Sequence, residues 1–213
     1  MRLKRALFLA ALLPLGRLVA AGLADWRGWF DDVPESRLGE LLTLGVNPIE
    51  FVTRSTGTWT LVALLATLAV TPLRRLTGWS ELARVRRMLG LFAFFYGVLH
   101  FTTYLWLDQF FDLRAIVADI WKRPFITVGF SAFLLLLPLA ATSTNAMARR
   151  LGVRRWRALL QCVYAIATLG VLHFWWLVKR DLTEPIAYAS VLALLLGVRL
   201  WWRSRSLAHR RAT

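Results

Sequence analysis

Cysteine is nearly absent from this chain of 213 residues, which contains only Cys162. A lone cysteine cannot form a disulfide within the chain, so a disulfide-stabilised fold is excluded. A CxxC redox pair and a cysteine-ligated iron–sulfur cluster are excluded as well, since both need several thiolates. The sequence also lacks HExxH, GxSxG, Walker and GxGxxG motifs. It therefore offers no signature of a metalloprotease, a serine hydrolase or a nucleotide-binding domain.

Charge is also scarce. Charged residues make up 18% of the chain and hydrophobic residues 58%, whereas an average soluble protein has about 25% charged residues. The mean hydropathy is +0.54. This composition excludes a disordered chain, which needs few apolar residues and a high charge content. It indicates a small integral membrane protein.

Six apolar segments are long enough, or nearly long enough, to cross about 30 Å of hydrocarbon. They predict an all-α integral membrane protein, a bundle of six transmembrane helices in a single domain that covers residues 1–213. The predicted helices cover about residues 6–24, 57–73, 88–107, 124–148, 158–178 and 185–202.

The basic residues are distributed unevenly between the two sides of these predicted helices. Eighteen of the 27 lie at the N-terminal tip, in the loops after the second and fourth helices, and at the end of the sixth helix and in the tail. Eleven of the 12 acidic residues lie on the opposite side. Because basic residues collect in cytoplasmic loops, both termini are predicted to be cytoplasmic. We interpret the net charge of +15 as this orientation signal, and we expect no nucleic-acid partner.

The first 56 residues allow two further interpretations. Basic residues followed by an apolar run and small residues also describe a cleaved signal peptide. Arg17 interrupts the apolar run, which favours a retained first helix. The polar stretch 25–56 is predicted to be an outer loop, and its apolar positions could form a short interfacial helix. Those positions are Leu38, Leu41, Leu42, Leu44 and Val46.

Two of the three histidines lie inside uncharged apolar segments. At 1.5 Å per residue, His100 is about 18 Å and His173 about 22 Å along the third and fifth predicted helices. These helices run in the same direction, so both side chains lie at similar depth in the outer half of the bilayer. Ionisable groups at membrane depth are costly and usually functional. Two histidines facing each other across a bundle can hold a haem iron from both faces, whereas His209 lies in the basic tail and is interpreted as solvated.

Small and aromatic neighbours of these histidines are predicted to shape a slot for the macrocycle, namely Gly97, Phe101, Gly170 and Phe174. Arg17 is the only charge inside the first predicted helix. It either snorkels or pairs with an outer acid, or it contacts a haem propionate or a quinone head group. The residues alone also leave open a cytochrome b-type anchor of another reductase or dehydrogenase, and a cofactor-free transporter.

Six sequence strings across about residues 47–179 carry a specific resemblance to a known protein family, in which they occur in the same order. They read NPIEFVTRSTGTW, TPLRR, RRMLGLFAFFYGVLHFTTY, RPFITVGF, TSTNAMARRLGVRRW and VLHFWWLVK. With them, the chain resembles the MsrQ (YedZ) family. These proteins are the haem-binding membrane subunits of the bacterial periplasmic protein-methionine-sulfoxide reductase system, within the ferric-reductase-like transmembrane group.

The resemblance implies a multi-pass protein of the bacterial inner (cytoplasmic) membrane that carries haem b and FMN. It implies that electrons pass from the respiratory quinone pool to a periplasmic molybdenum-cofactor (molybdopterin) methionine sulfoxide reductase, which repairs oxidised periplasmic proteins. The chain would be the electron-transfer subunit of a heterodimer, with the catalytic site for the substrate on the partner. His100 and His173 match family histidines proposed as haem ligands.

The chain departs from the family pattern at one position. The family has a histidine where Leu160 stands, four residues after Trp156. That position lies about 20 Å from His173 along the helix, and leucine cannot ligate iron. The sequence therefore favours one haem near the outer face, without a second, inner haem. No motif places the FMN or the quinone.

Overall fold

A computed structural model describes residues 2–27 and 43–212, with side chains up to residue 206. Within these ranges the chain folds into seven α-helices and one π-helix. They are α1 (Arg2–Trp26), α2 (Pro48–Thr77), α3 (Glu81–Thr103), the π-helix (Tyr104–Asp108), α4 (Leu113–Lys122), α5 (Pro124–Ala141), α6 (Asn145–Leu177) and α7 (Thr183–Ala212).

Six of these helices are long and apolar enough to cross a membrane, with the π-helix continuing the span that begins with α3. The short helix α4 is the exception. The prediction of an all-α protein with six spanning helices is therefore confirmed for the described residues. The chain is a multi-pass membrane protein.

The second helix begins earlier and ends later than its apolar run. Asn47 caps the first turn, where its side-chain oxygen accepts the N–H of Glu50 at 3.2 Å, and Pro48 occupies the first helical position. These are strong helix-start signals. At the other end Gly78 adopts the left-handed conformation, with φ 73°, and donates its N–H to the Arg74 carbonyl. The polar end turns lengthen α2 beyond the predicted 57–73.

The boundary between the fourth and fifth predicted helices was misplaced. The predicted fourth helix extends to residue 148, but α5 ends at Ala141 and α6 begins at Asn145. Thr144 caps α6 by accepting the N–H of Met147 at 3.2 Å. The intervening turn is uncharged, so hydropathy alone could not separate it from the helix. Further along α6, Gly152 interrupts the helix with φ 75° and ψ 158°.

The predicted interfacial helix falls mostly on residues 28–42, which lie outside the described residues. Of its positions, Leu44 and Val46 are described, and both lie in a non-helical segment before α2. The Leu44 N–H donates to the Asp25 carboxylate at 2.9 Å, which joins this segment to the end of α1.

Consecutive membrane-spanning helices run in opposite directions, so the bundle has two ends. Helix α2 lies at its centre and contacts α1, α3, α6 and α7. The core includes Leu68, Ala93, Tyr96, Ile166 and Ala167, which are almost completely buried. We call the end where α2 and α5 begin the histidine end, because α3 and α6 deliver His100 and His173 there. The opposite end, where α2 ends and α3 begins, is the basic end.

Candidate cofactor site

The two histidines of the apolar segments meet inside the bundle. The ring centroids of His100 on α3 and His173 on α6 are 6.1 Å apart, and the rings are inclined by 75°. Both side chains are partly buried. The structure thus brings together the two residues that the sequence placed at similar depth.

A backbone carbonyl orients each ring. Nδ1 of His100 is 2.9 Å from the Thr53 carbonyl oxygen in α2, and Nδ1 of His173 is 2.6 Å from the Phe125 carbonyl oxygen in α5. A carbonyl oxygen can only accept, so the hydrogen of each neutral ring is on Nδ1. The Nε2 lone pair of each ring then remains available to a metal. Ligating histidines usually have this arrangement, since an outer hydrogen bond determines their tautomer and orientation.

A glycine on the neighbouring helix lies directly against each histidine ring. A Cβ placed on Gly57 of α2 would be 3.0 Å from Cε1 of His100. A Cβ placed on Gly129 of α5 would be 2.6 Å from Nδ1 of His173, closer than real Cβ contacts allow. The absent side chains let each ring pack against a helix backbone. Sequence reasoning did not identify these two glycines, although both lie in the strings RSTGT and RPFITVGF that carry the family resemblance.

The four predicted slot residues have other contacts. Gly97 approaches Leu136, and Gly170 approaches Leu61. The ring of Phe174 packs edge-on against Tyr188, with centroids 5.8 Å apart.

Phe101, the fourth, belongs to a larger aromatic group on the histidine side of the bundle. It stacks on Phe133 with centroids 4.7 Å apart, and it also contacts Phe130 and Tyr104. That these four residues shape a slot for the macrocycle stays a prediction. The glycines that lie against the histidine rings are instead Gly57 and Gly129.

A polar network lies one helical turn beyond His100. Tyr104, in the π-helix, has its hydroxyl 3.5 Å from the Asp119 carboxylate. Gln109 donates to the same carboxylate at 3.1 Å, and Arg123 pairs with it at 3.3 Å. π-Helical turns occur frequently at functional sites. This network ties the π-helix and the turn after it to α4 at the histidine end.

The remaining sequence candidates lie elsewhere. The Arg17 guanidinium lies over the Phe51 ring on α2, 5.1 Å from its centroid. The His209 side chain lies outside the described residues. Leu160 and Cys162 are partly buried in α6, and Cys162 packs against the core.

The pair offers two imidazole Nε2 atoms as the donors that could hold a metal. Within residues 2–27 and 43–206, no group of three or more histidine, cysteine, aspartate or glutamate side chains could hold a metal ion together. A tetrahedral zinc site, with three or four protein ligands, is therefore not built around the pair.

Comparisons with known proteins agree with this architecture. Residues 56–171 match the family described as "Ferric reductase like transmembrane component". A relative from Herminiimonas arsenicoxydans is 55% identical, and the alignment covers 94% of this chain and 85% of the relative. A relative from Ralstonia nicotianae is 56% identical over 92% of this chain and 84% of its own length. One from Bordetella pertussis is 53% identical over 98% of this chain and 94% of its own length.

All three relatives carry the name protein-methionine-sulfoxide reductase heme-binding subunit MsrQ. No solved structure matches the chain. The family assignment therefore comes from sequence identity that extends over almost the whole chain. This chain belongs to the MsrQ family, within the ferric-reductase-like transmembrane group.

Proposed function

We propose that this protein is a membrane electron-transfer subunit that holds one haem b between His100 and His173. The supporting observation is the paired geometry: two rings 6.1 Å apart, each with Nδ1 on a backbone carbonyl and Nε2 left to a metal. The curated relatives are named heme-binding subunits, which agrees with the proposal. The haem would supply one-electron chemistry at its iron, with axial ligands and hydrogen bonding setting its potential.

Each part of the chain around the pair has a defined task in this proposal. The Thr53 and Phe125 carbonyls hold the imidazoles in one tautomer and raise their basicity as ligands. Gly57 and Gly129 let the rings lie against α2 and α5. Because all four groups belong to membrane-spanning helices, the ligands are held by rigid elements, and little rearrangement would accompany each change of oxidation state.

The proposal expects one haem per chain. The family histidine that could serve a second haem is replaced by Leu160, and the described residues near the basic end contain no other histidine. A single haem near the histidine end lies on the side predicted to face the periplasm. It is suitably placed to reduce a periplasmic partner.

The electron source and the partner come from the family resemblance. We propose that quinol from the respiratory pool reduces the haem, and that the haem reduces a periplasmic molybdenum-cofactor methionine sulfoxide reductase. The catalytic site for methionine sulfoxide would lie on that partner. FMN is part of the proposal, but no described residue is assigned to it. Arg17 is retained as a proposed contact of a propionate or quinone head group on the α2 side of the bundle.

The deciding measurement is a dithionite-reduced minus oxidised optical spectrum of the detergent-purified chain, with the haem content per chain quantified. A b-type spectrum at one haem per chain is expected. His100→Ala and His173→Ala should each lose the haem while keeping the helical circular dichroism signal, because each removes one axial ligand. His209→Ala is the matched control, since it removes the third histidine and should leave the spectrum unchanged.

Other results would redirect the proposal. Full haem occupancy in either ligand variant would contradict the assignment of that histidine. Two haems per chain would mean that the protein binds a second haem without the family histidine that Leu160 replaces. No haem in the wild type, from cells able to supply it, would instead support the cofactor-free transporter. A b-type spectrum without reduction of the reductase partner would support an anchor for another enzyme.

A further inference from the structure

A groove separates the first part of α1 from α3 at the basic end of the bundle. Both helices begin at this end, and the buried residues of α1 start only at Pro14. The groove opens between the earlier turns of α1 and residues 83–95 of α3, and its volume is about 700 Å³. This volume falls within the range of about 300–1,000 Å³ that ligand-binding clefts occupy. We call it the α1–α3 groove.

The mouth of the groove is positively charged. Lys4, Arg84 and Arg87 line it, and all three lie in the first two turns of their helices. Arg84 pairs with the Glu81 carboxylate at 2.6 Å. Arg87 donates from one Nη to the side-chain oxygen of Asn145 at 2.5 Å, which fixes the guanidinium but does not neutralise it, because an amide is uncharged. Three cations against one carboxylate leave an excess of positive charge at the mouth.

The deeper part of the groove is apolar. Five side chains line it, namely Phe8, Met88, Leu91, Phe92 and Phe95. Phe92 is buried and forms the floor, where its ring packs edge-on against that of Phe8 with centroids 5.4 Å apart. The side chains of Leu91 and Phe95 form a wall and remain 40% and 37% exposed. The groove thus offers an apolar surface to a ligand that enters from the hydrocarbon.

The order of charged and apolar residues along α3 matches the depth profile of one membrane leaflet. Arg84 and Phe95 lie about 16 Å apart along the helix axis, at 1.5 Å per residue. This distance is about half of the 30 Å thickness of the hydrocarbon core. A ligand that lies along the groove would therefore have a charged group at the membrane surface and an apolar part inside the leaflet.

An anionic phospholipid has this distribution of groups. Its phosphate oxygens match the planar fork of an arginine, and its acyl chains match an apolar wall that faces hydrocarbon. Basic pockets between transmembrane helices bind anionic head groups in this way. A soluble anion would leave the apolar wall without a partner, and a lipid without net charge would leave the excess positive charge uncompensated.

We propose that the α1–α3 groove binds one anionic phospholipid. Lys4 and Arg87 contact the phosphate, Arg84 adds its charge at the mouth, and the acyl chains lie along Leu91 and Phe95. The lipid fills the space beside the first part of α1 and so attaches that part of the helix to α3. The proposal depends neither on the haem assignment nor on the orientation of the protein.

Native mass spectrometry of the full chain in detergent tests the head group. Phosphatidylglycerol and phosphatidylcholine are added separately, because both have acyl chains but only the first has a net charge. The wild type should bind phosphatidylglycerol more tightly. Arg87→Gln should weaken phosphatidylglycerol binding about fivefold, the effect expected of one basic side chain near the membrane surface, and should leave phosphatidylcholine binding unchanged. Arg154→Gln is the matched control, because it removes an exposed arginine of the same end that does not line the groove.

A second pair of variants tests the apolar part without any change of charge. Leu91→Trp should obstruct the groove and weaken phosphatidylglycerol binding at least as much as Arg87→Gln does. Leu194→Trp is its control, because Leu194 is an exposed leucine of α7, outside the groove. Glycerol 3-phosphate, which has the phosphate but no acyl chains, should not displace the lipid. The helical circular dichroism signal should be the same in all variants, so that folded proteins are compared.

The proposal is overturned if the wild type binds the two lipids equally, since the cations would then select nothing. Equal losses in Arg87→Gln and Arg154→Gln would also overturn it, because they would reduce the effect to net charge. Wild-type binding in Leu91→Trp, or displacement of the lipid by glycerol 3-phosphate, would show that the acyl chains do not lie in the groove. Weaker binding in Arg87→Gln and Leu91→Trp, but in neither control, supports the site.

Discussion

At the scale of single residues, two glycines determine how closely the histidines approach their neighbouring helices. Gly129 has no room for a Cβ, because the His173 ring occupies that space. Gly57 has slightly more room beside His100. Glycine usually weakens a helix interior relative to alanine, so its presence at both positions is explained by the close contact with a ring.

Gly129→Ala is expected to lower the haem content strongly. The new methyl group overpacks the site and displaces His173 from the Phe125 carbonyl, at a cost of about 1–3 kcal/mol. That cost corresponds to about a 5- to 150-fold loss of haem affinity. Gly57→Ala should lose less, because its Cβ would be 3.0 Å from the ring. The measurement is a haem titration of the apoprotein followed by absorbance.

A third glycine provides the control for this prediction. A Cβ on Gly197 of α7 would meet no atom within 4 Å. Gly197→Ala should therefore bind haem like the wild type. If Gly129→Ala also retains wild-type affinity, the close contact with His173 does not position the ligand.

At the scale of helices, α2 contains a proline whose cost is offset by another helix. Pro72 has no N–H, so the carbonyl of Leu68, four residues earlier, loses its usual partner in the helix. The Arg199 guanidinium of α7 donates to that carbonyl. Leu68 is completely buried, and water is excluded from it. In membranes, such freed carbonyls need partners from neighbouring helices.

Arg199→Met should lower the free energy of unfolding by about 1–2 kcal/mol, the cost of leaving a buried carbonyl unpaired. The same change in a Pro72→Ala background should cost less, because the restored N–H of residue 72 can serve Leu68. The double-mutant cycle is measured by unfolding in mixed detergent micelles. Arg203→Met, an exposed residue one turn further along α7, is the control. Equal losses in both backgrounds would refute the coupling.

At the scale of the whole molecule, the two ends of the bundle differ in charge and in chemistry. The basic end carries most of the arginines and the turn between α2 and α3. The histidine end carries the His100–His173 pair and seven of the eight described acids. The positive-inside rule predicts that the basic end faces the cytoplasm. The proposed haem would then lie toward the periplasm.

This orientation is tested with single cysteines in a Cys162→Ala background, labelled by a membrane-impermeant maleimide. Arg180→Cys, in the exposed turn between α6 and α7, should be labelled in intact cells. Ser80→Cys, in the turn between α2 and α3, should be labelled only after the membrane that holds the protein is permeabilised. Ser80 makes no side-chain capping bond, so its replacement should be harmless. The reverse labelling pattern would place the histidine pair on the cytoplasmic side.

By itself, the sequence determined the membrane class, the six spanning helices and the two histidines at one depth. The length of an apolar segment, and the position of an ionisable residue within it, can be read directly from the sequence. The boundary between α5 and α6 escaped prediction because the Thr142–Thr144 turn is uncharged. Only the tertiary structure decided which groups surround the pair. The Thr53 and Phe125 carbonyls are 47 and 48 residues from their histidines. Such contacts depend on how the helices pack, and the pattern of residues along one helix does not predict them. The contact between the Arg199 guanidinium and the Leu68 carbonyl has the same origin, since the two residues are 131 positions apart in the chain.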